Sequence, residues 1–286
     1  MNINYLVFIM LIFAGCAGNS KTQDQTIHKN QEVYDLNNPE KFIMPDVLHE
    51  ISGIAFNKDN YDSIYAEQDE EGKVYHFKLG DQNLATTKFG KRGDFEDITI
   101  CNGTVVMLRS DGVLFSFPLS ETTNKDAENV KEWDDLLPQG EYEGLYADEA
   151  QNKLYVLCKH CSDDITSQQT NGHIFKLEND SIKTAGNFSI DVTQIEKLSG
   201  QTDIKFHPSA LGRSPITGDW YIVTSVNKLL ITADSNWQIK RTFALNDTLF
   251  NQPEGIAFDK DGNLFISNEG GKEGGVGTIL KFKRNN

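Results

Sequence analysis

The chain has 286 residues and a formal net charge of −15 at pH 7, with 38% hydrophobic residues, 10% aromatic residues and 23 glycines. This length suits one large domain or two ordinary ones, and the composition is that of a globular protein rich in turns. The excess of acidic residues argues against a nucleic-acid-binding protein and against electrostatic adhesion to anionic lipid, because both need a basic face. It favours solubility and the capture of cations.

The chain begins with a segment typical of bacterial export. Residues 6–14 read LVFIMLIFA, a run that is too short to span a bilayer but suits the core of a signal peptide. The run leads into Ala14, Gly15 and Cys16, which resemble the lipobox where a peptidase cleaves before a cysteine that receives a lipid. We therefore predict a signal peptide over 1–15 and a lipidated Cys16 that starts a flexible tether over 16–31. The lipid would hold the protein at the plasma or outer membrane, with its domain in the periplasm or outside the cell.

From residue 32 onward, one short pattern recurs along the chain. A serine or glutamate is followed by a small or acidic residue and an apolar run, in copies that begin at Ser52, Glu96, Glu143, Ser209 and Glu254. Each copy is followed by turns and by further alternating runs rich in β-branched and aromatic residues, which favour short strands. The copies lie roughly 45 residues apart, with one longer step, and this period is typical of β-propeller blades.

These repeats predict an all-β fold, a single β-propeller of four-stranded blades around a central channel over residues 32–286. The count predicts five blades, with six as the alternative if a divergent blade occupies 177–208. The last blade runs out after Phe282, and the extended stretch 32–45 can supply its missing strand and so close the ring. We also predict two helices outside the blades.

One of these helices would cover 191–200, with Asp191 as its N-cap and Gly200 as its end, and the other lies near 129–137. The segment 259–262 reads DKDG and suggests a hairpin turn, since it lacks the length and the closing glutamate of an EF-hand loop.

The order of the motifs is more specific than any single motif. Along the chain they read SGIAF, FEDI, YEGLYAD, HPSALG and PEGIAFDKDGNLFISNE. This succession resembles the SdiA-regulated family over roughly residues 45–284. The resemblance implies a propeller in an exported or membrane-associated protein, and it implies no particular ligand. The last motif alone is shared with NHL and lactonase-like propellers.

In a propeller, the first strand of each blade lines the channel and the second strand returns to the face where the first began. Residues that start first strands and end second strands should therefore meet at one end of the channel, which we call the top mouth. The set comprises Ser52, Glu67, Glu96, Arg109, Glu143, Lys159, Ser209, Glu254, Asn268 and Glu269. The turns that follow the first strands, at Asp59 and Asp261, should lie on the opposite or bottom face.

Three glutamates aimed into one channel raise one another's pKa values unless a cation lies among them. We therefore predict that Glu96, Glu143 and Glu254 hold or flank Ca²⁺ or another divalent cation, which accepts several oxygen ligands at once. Lys159 and Arg109 are the competing partners. The alternative is that each glutamate accepts hydrogen bonds from backbone N–H groups of the next blade and locks the blades together. Asp94, Asp97 and Asp111 are interpreted mainly as solvated turn residues.

Cys158 and Cys161 form a CxxC motif. A local disulfide or two idle thiols is the favoured interpretation, and a redox pair or half of a zinc site are the alternatives. A zinc site needs two further ligands at a matching spacing, and the sequence contains no second CxxC or HxxxH.

Two functional classes remain. The first is a tethered, monomeric binding module whose top face meets a small molecule, a glycan or a protein. The second is a metal-dependent hydrolase of the lactonase- or phytase-like propeller type, in which a divalent cation polarises a carbonyl or phosphoryl oxygen. The sequence has no GxSxG nucleophile motif, and its acidic charge argues against a polyanionic substrate such as phytate. These observations favour the binding module.

Overall fold

The computed structural model describes residues 33–162, 168–179, 181–271 and 274–285. The expected signal peptide, Cys16 and the tether lie outside the described residues. Within those ranges, twenty strands form five antiparallel sheets of four strands, each of which is one blade of a propeller. The strands are β1 Glu40–Ile43, β2 Ile51–Asn57, β3 Asn60–Gln68, β4 Lys73–Phe77, β5 Ala85–Lys88, β6 Phe95–Cys101, β7 Thr104–Arg109, β8 Leu114–Pro118, β9 Lys131–Trp133, β10 Gly140–Asp148, β11 Lys153–Cys161, β12 Gln169–Glu178, β13 Ser181–Asp191, β14 Ala210–Arg213, β15 Trp220–Thr224, β16 Leu229–Ala233, β17 Ile239–Ala244, β18 Gln252–Phe258, β19 Leu264–Glu269 and β20 Thr278–Phe282.

The ring is closed by the two ends of the domain. Blades 1 to 4 each use four consecutive strands, from β2 to β17, whereas blade 5 has the order β1-β20-β19-β18. Strand β1 pairs antiparallel with β20, from Glu40 opposite Lys281 to Ile43 opposite Thr278. The predictions of five blades and of closure by an N-terminal strand are confirmed. Closure removes two free sheet edges that would otherwise be open to pairing with other chains.

The hydrophobic core is divided among the five seams between neighbouring blades, with one apolar cluster at each seam. Between blades 3 and 4, for example, Leu157 and Ile190 pack with Trp220 and Ile231, and all four side chains are buried. Full burial of such a side chain stabilises the fold by about 1.5–3 kcal/mol. The alternating apolar residues of the strands therefore hold neighbouring blades together and fix the channel between them.

One of the two predicted helices is confirmed. Helix α1 spans Val192–Ser199, with the Asp191 carboxylate accepting from the Thr193 N–H and Gly200 ending the helix in the left-handed region. Two short 3-10 turns cover Asp46–Leu48 and Leu119–Thr123. In the described ranges, none of the helices is both long and apolar enough to cross a membrane.

The helix expected near 129–137 is wrong, because the segment contains the outer strand β9 of blade 2. Trp133 lies opposite Leu114 of β8, and the Trp133 indole N–H donates to the Ser116 hydroxyl at 3.0 Å. The free edge of β8 offers backbone hydrogen bonds along its length, and these outweigh the local helical spacing of apolar residues.

Candidate functional site: the top mouth of the channel

The repeated serine and glutamate positions coincide with interruptions of the β-ladder at the top of the innermost strands. Register shifts fall around these positions in four blades, at Ile51/Ile54, Phe95/Asp97, Tyr142/Gly144 and Pro253/Gly255. In blade 4, Ser209 lies just before β14 and its hydroxyl accepts from the Ser225 N–H. A β-bulge leaves a residue out of the ladder and re-aims its side chain. In four of the five blades, the repeat in the sequence is thus a repeat of bulges that turn polar side chains toward the mouth.

Glu143 and Lys159 form the strongest charged contact at the mouth. Glu143 is 5% exposed, and the Lys159 ammonium donates to its Oε1. Burial raises the pKa of Glu143, and the nearby Lys159 opposes that rise. The same ammonium interacts electrostatically with Glu96 and Glu254. Lys159 is therefore the counter-charge shared by the three glutamates that the sequence singles out.

Glu96 and Glu254 both have raised pKa values, so their carboxyl groups ionise less readily than a solvated glutamate. Burial first, and then the charge of Glu143, raise the pKa of Glu96 far above its usual range. Burial also raises the pKa of Glu254, against hydrogen bonds from the hydroxyls of Ser209 and Ser225. A positive charge placed among these groups would favour their ionised forms.

A second acidic group lies where blades 5 and 1 meet. Glu67 is fully buried: its Oε1 accepts from the Gly53 N–H at 2.6 Å, whereas its Oε2 has no hydrogen-bond partner. Asn268 is 1% exposed, and its Oδ1 also lacks a partner. Burial, Glu254 and Asp69 raise the pKa of Glu269 to about 8. Two buried polar atoms without hydrogen-bond partners are costly to a fold unless something else meets them.

Two of the predicted mouth residues serve other contacts. The Arg109 guanidinium donates from Nε and Nη2 to the two carboxylate oxygens of Asp111, at 2.8 and 2.9 Å, and lies over the Phe115 ring. The charge of Arg109 is thus paired with Asp111 of the same blade, and Arg109 is not the counter-charge of the three glutamates. Ser52 is buried, and its carbonyl oxygen accepts from the Ser267 hydroxyl at 2.5 Å across the seam between blades 5 and 1.

Asp97 links blade 2 to blade 3 by hydrogen bonds. The sequence suggests such a link as the alternative role of the three glutamates. Asp97 Oδ2 accepts from the Leu145 N–H at 2.6 Å, and its Oδ1 accepts from the Ile98 N–H at 2.8 Å. Asp97 is 3% exposed, so its interpretation as a solvated turn residue is wrong. The carboxylate fits because blade 1 has Gly53 beside it, where a Cβ would come within 2.4 Å of Asp97 Oδ1.

The carboxylates of the mouth are spread around it rather than gathered at one point. Among the described residues, no three His, Cys, Asp or Glu side chains are placed to hold a metal ion.

Cys158 and Cys161 are joined in a disulfide with Cα atoms 6.0 Å apart. The disulfide brackets Lys159, so it restrains the strand end from which the shared ammonium projects.

The bottom of the channel has a different character. A cavity of about 380 Å³ opens there, lined along its walls by Ile54, Ile98, Leu145, Leu211 and Ile256. At its rim, Arg213 pairs with Asp148 at 3.1 Å and Lys58 pairs with Glu149 at 3.6 Å. The turn 259–262 closes on this side, with Asp259 Oδ1 accepting from the N–H groups of Asp261 and Asn263.

The chain resembles one protein family in sequence and other proteins of solved structure in fold. It belongs to the SdiA-regulated family, whose model matches residues 30–271. No curated protein matches it significantly in sequence. A glutaminyl cyclase from Myxococcus xanthus has a similar structure, with a TM-score of 0.55 at 13% identity, covering 86% of this chain and 96% of that chain. A nidogen/laminin complex gives a TM-score of 0.47 at 13% identity, covering 76% and 72%. The likeness to the cyclase is one of fold alone.

Proposed function

We propose that this propeller is an exported, membrane-tethered binding module whose top mouth receives a positively charged group of its ligand. One observation carries the proposal. Buried or half-buried carboxyl groups from four of the five blades interact electrostatically with one another and with Lys159, and the fully buried Glu67 among them has an oxygen without a hydrogen-bond partner. A ligand cation would supply the missing positive charge and the missing donors. The low dielectric of a buried site strengthens such an interaction relative to water.

An organic cation fits this mouth better than a bare metal ion. Ca²⁺ requires about six to eight oxygen ligands at about 2.3–2.6 Å, and the described residues offer no cluster of three metal-binding side chains. An ammonium or guanidinium group carries several N–H donors that point in different directions and can meet separated carboxylates. The divalent cation expected from the sequence is therefore the competing occupant.

Binding of a cation should depend on pH in a defined direction. Asp69 and Glu269 have pKa values raised to about 7 and about 8, chiefly by burial, so both groups carry protons over part of the neutral range. A bound cation favours the ionised forms and displaces these protons. Affinity should therefore rise as the pH increases from about 6 to about 9, with proton release that calorimetry in buffers of different ionisation enthalpy measures.

Thermal denaturation of the full chain with added small cations tests the proposal. The probes are arginine amide, spermidine, choline, CaCl₂ and MgCl₂. A ligand present at 100 times its Kd stabilises the folded state by about 2.7 kcal/mol, a shift that is readily seen in Tm. We expect an amine or guanidinium probe to raise Tm.

Substitutions at the mouth make the test specific. Glu254→Gln and Glu269→Gln keep the shape of a protonated carboxyl but remove its ability to ionise, so the fold should survive while the shift is lost. Asp261→Asn is the matched control, because Asp261 lies in the bottom turn with its side chain 68% exposed. A shift with Ca²⁺ alone would reassign the mouth to a metal. Shifts that persist in both mouth variants would refute the site.

The membrane tether needs a test of its own. We propose that Cys16 carries a lipid, as its resemblance to a lipobox predicts. The wild-type protein should partition into the detergent phase of a Triton X-114 extraction and carry the mass of a lipid. The Cys16→Ser variant should stay in the aqueous phase, and a wild-type protein that does so as well would contradict the tether.

A catalytic role is the second candidate, and the pair of Glu143 and Lys159 favours it. A buried carboxyl with a raised pKa can exchange protons near neutral pH, as a general acid or base must. Turnover would be sought with lactones, phosphate esters and, because of the fold shared with a glutaminyl cyclase, glutaminyl peptides, each with and without Ca²⁺. A metal-dependent hydrolase would lose turnover in Glu143→Gln and on metal removal, whereas a binding module would show no turnover to lose.

A further inference from the structure

The exposed large apolar side chains of the described residues are concentrated on the face that carries the top mouth. Six such side chains are exposed, namely Ile43, Val47, Leu198, Ile216, Val226 and Val276. Strands of a blade alternate in direction, so every connection that follows a second or fourth strand lies at the top. Ile43, Val47, Val226 and Val276 occupy such positions, and Ile216, between β14 and β15, lies at the bottom. Leu198 belongs to helix α1, whose Gln194 side chain accepts from the Ile239 N–H at the bottom end of β17.

Their exposure is high for residues of this kind. Val226 is 68% exposed in the turn after β15, Ile43 is 57% exposed at the end of β1, and Val47 is 56% exposed in the 3-10 turn that precedes β2. Single exposed aliphatic residues are ordinary on a protein surface. Four of the six share the face that also gathers the buried carboxyl groups, and this makes the face the candidate for an interaction surface.

A groove on blade 1 joins the apolar and acidic features. It has a volume of about 690 Å³, and its walls include Val47, Asp46, Glu50 and Gln68. Gln68 is the neighbour of Glu67 in the chain and ends β3 at the mouth. A segment lying in this groove would therefore approach the mouth with acidic groups on its way.

Some of the groove's charge is already neutralised. Glu71 accepts from Lys73 at 2.7 Å, and Arg92 pairs with Glu70. Asp46 and Glu50 remain as the acidic members beside Val47. The groove is otherwise lined mainly by polar residues, so it suits a segment with a single positive group beside Val47 rather than one that carries many charges.

We propose that the top face docks an extended polypeptide segment of a partner protein, which inserts a lysine or arginine side chain into the top mouth and lays aliphatic side chains on the surrounding surface. This proposal rests on the proposed function, because it states that the cation which binds in the mouth is a side chain of a partner polypeptide. A free small amine would use the mouth and leave the exposed aliphatic residues of blades 4, 5 and 1 uncovered. A second copy of this chain is a poor occupant, since its net charge of −15 opposes approach to an acidic mouth.

Three end-blocked probes separate these possibilities by isothermal calorimetry on the full chain. They are acetyl-arginine amide, a serine-flanked pentapeptide Ser-Ser-Arg-Ser-Ser and a leucine-flanked pentapeptide Ser-Leu-Arg-Leu-Ser. We expect the leucine-flanked peptide to bind at least 10-fold more tightly than the serine-flanked peptide. Glu269→Gln should weaken the binding of all three probes.

Two surface variants locate the apolar contribution. The double variant Val47→Ser with Val226→Ser should reduce the preference for the leucine-flanked peptide to less than about threefold, without changing the affinity for acetyl-arginine amide. Ile216→Ser is the matched control on the bottom face, where the side chain is 48% exposed, and it should leave the preference unchanged. Both variants change exposed residues, so unaltered Tm values should confirm that they fold.

The outcomes distinguish the two levels of the proposal. Equal affinities for the two peptides, with acetyl-arginine amide bound, overturn the polypeptide surface and leave the cation site standing. A preference that survives the double variant also overturns it. Failure of all three probes to bind overturns the cation site and the surface together.

Discussion

The two ends of the central channel are built from the same five innermost strands and yet differ in chemistry. Toward the bottom, the innermost strands other than β2 keep a regular register and line an apolar cavity. The charges at its rim are paired as Arg213 with Asp148 and Lys58 with Glu149. Toward the top, bulges interrupt four of the strands, and buried glutamates outnumber the ammonium of Lys159.

The two ends of the same strands thus differ in how their charged and apolar groups are accommodated. The bottom half packs by the ordinary rule that apolar groups leave water and charges find partners. The top half holds Glu67 and Glu269 where ionisation is opposed by burial and by neighbouring carboxylates. A fold that keeps such groups tolerates a local cost in free energy, and functional sites are where this cost is found.

The largest expected effect is at the bottom. Leu211 is 1% exposed and packs closely enough on Gly144 that a Cβ there would come within 2.7 Å of its Cδ2. We expect Leu211→Ala to lower the free energy of unfolding by about 2–5 kcal/mol, through lost burial and the cavity left behind. Urea denaturation measures the loss. Glu254→Gln at the top of the next blade is the comparison variant, and an equal loss there would contradict the division between the two ends.

A smaller effect is expected at the lock between blades 2 and 3. Asp97→Ala removes the acceptor of the Leu145 N–H and of the Ile98 N–H. A buried donor left unpaired costs about 1–3 kcal/mol, so we expect a loss of that order in urea denaturation. Asp97→Asn, which keeps one carbonyl oxygen, should lose less than Asp97→Ala. Equal losses in the two variants would show that the hydrogen bond to Leu145 contributes little.

The sequence predicts the bottom half of the molecule better than the top. Apolar alternation and turns determine the blades, and the unfinished last blade predicts closure by β1, because these features follow from repeated local patterns. The sequence also predicts the positions of the mouth residues, since each first strand begins with a serine or glutamate. It does not predict β9, whose pairing depends on the free edge of β8.

The partners at the mouth escape prediction because they depend on contacts between blades. Asp97 occupies the motif position that is Gly53 in blade 1 and Gly144 in blade 3. Blade 4 has Ala210 at this position, so Asp97 is the one charged residue among the five copies, and that charge was the available signal for an inter-blade lock. The unpartnered Oε2 of Glu67 had no signal, since a glutamate at the end of a β-strand is usually solvated.

The pH dependence of stability should also distinguish the two ends. The pKa of Glu269 is raised to about 8, so between about pH 5 and 8 the folded state binds more protons than the unfolded state. The free energy of unfolding should therefore fall as the pH rises through this range. Glu269→Gln should reduce the slope, whereas Asp261→Asn in the bottom turn should leave it unchanged. A stability that rises from pH 5 to 8 would contradict the buried-carboxyl account of the mouth.

The smallest effect is expected from the bottom rim. Lys58 pairs with Glu149 at 3.6 Å, with side-chain exposures of 41% and 18%, and such a pair contributes about 0–1 kcal/mol. Lys58→Met keeps an aliphatic stem over the Tyr146 ring while removing the charge, so the loss should stay below about 1 kcal/mol and should shrink further in high salt. A double-mutant cycle with Glu149→Gln isolates the pair. A coupling well above 1 kcal/mol that resists salt would mean that the Lys58–Glu149 pair is shielded from water. The two ends would then both hold buried charge, and they would differ only in that the charges are paired at the bottom and mostly negative at the top.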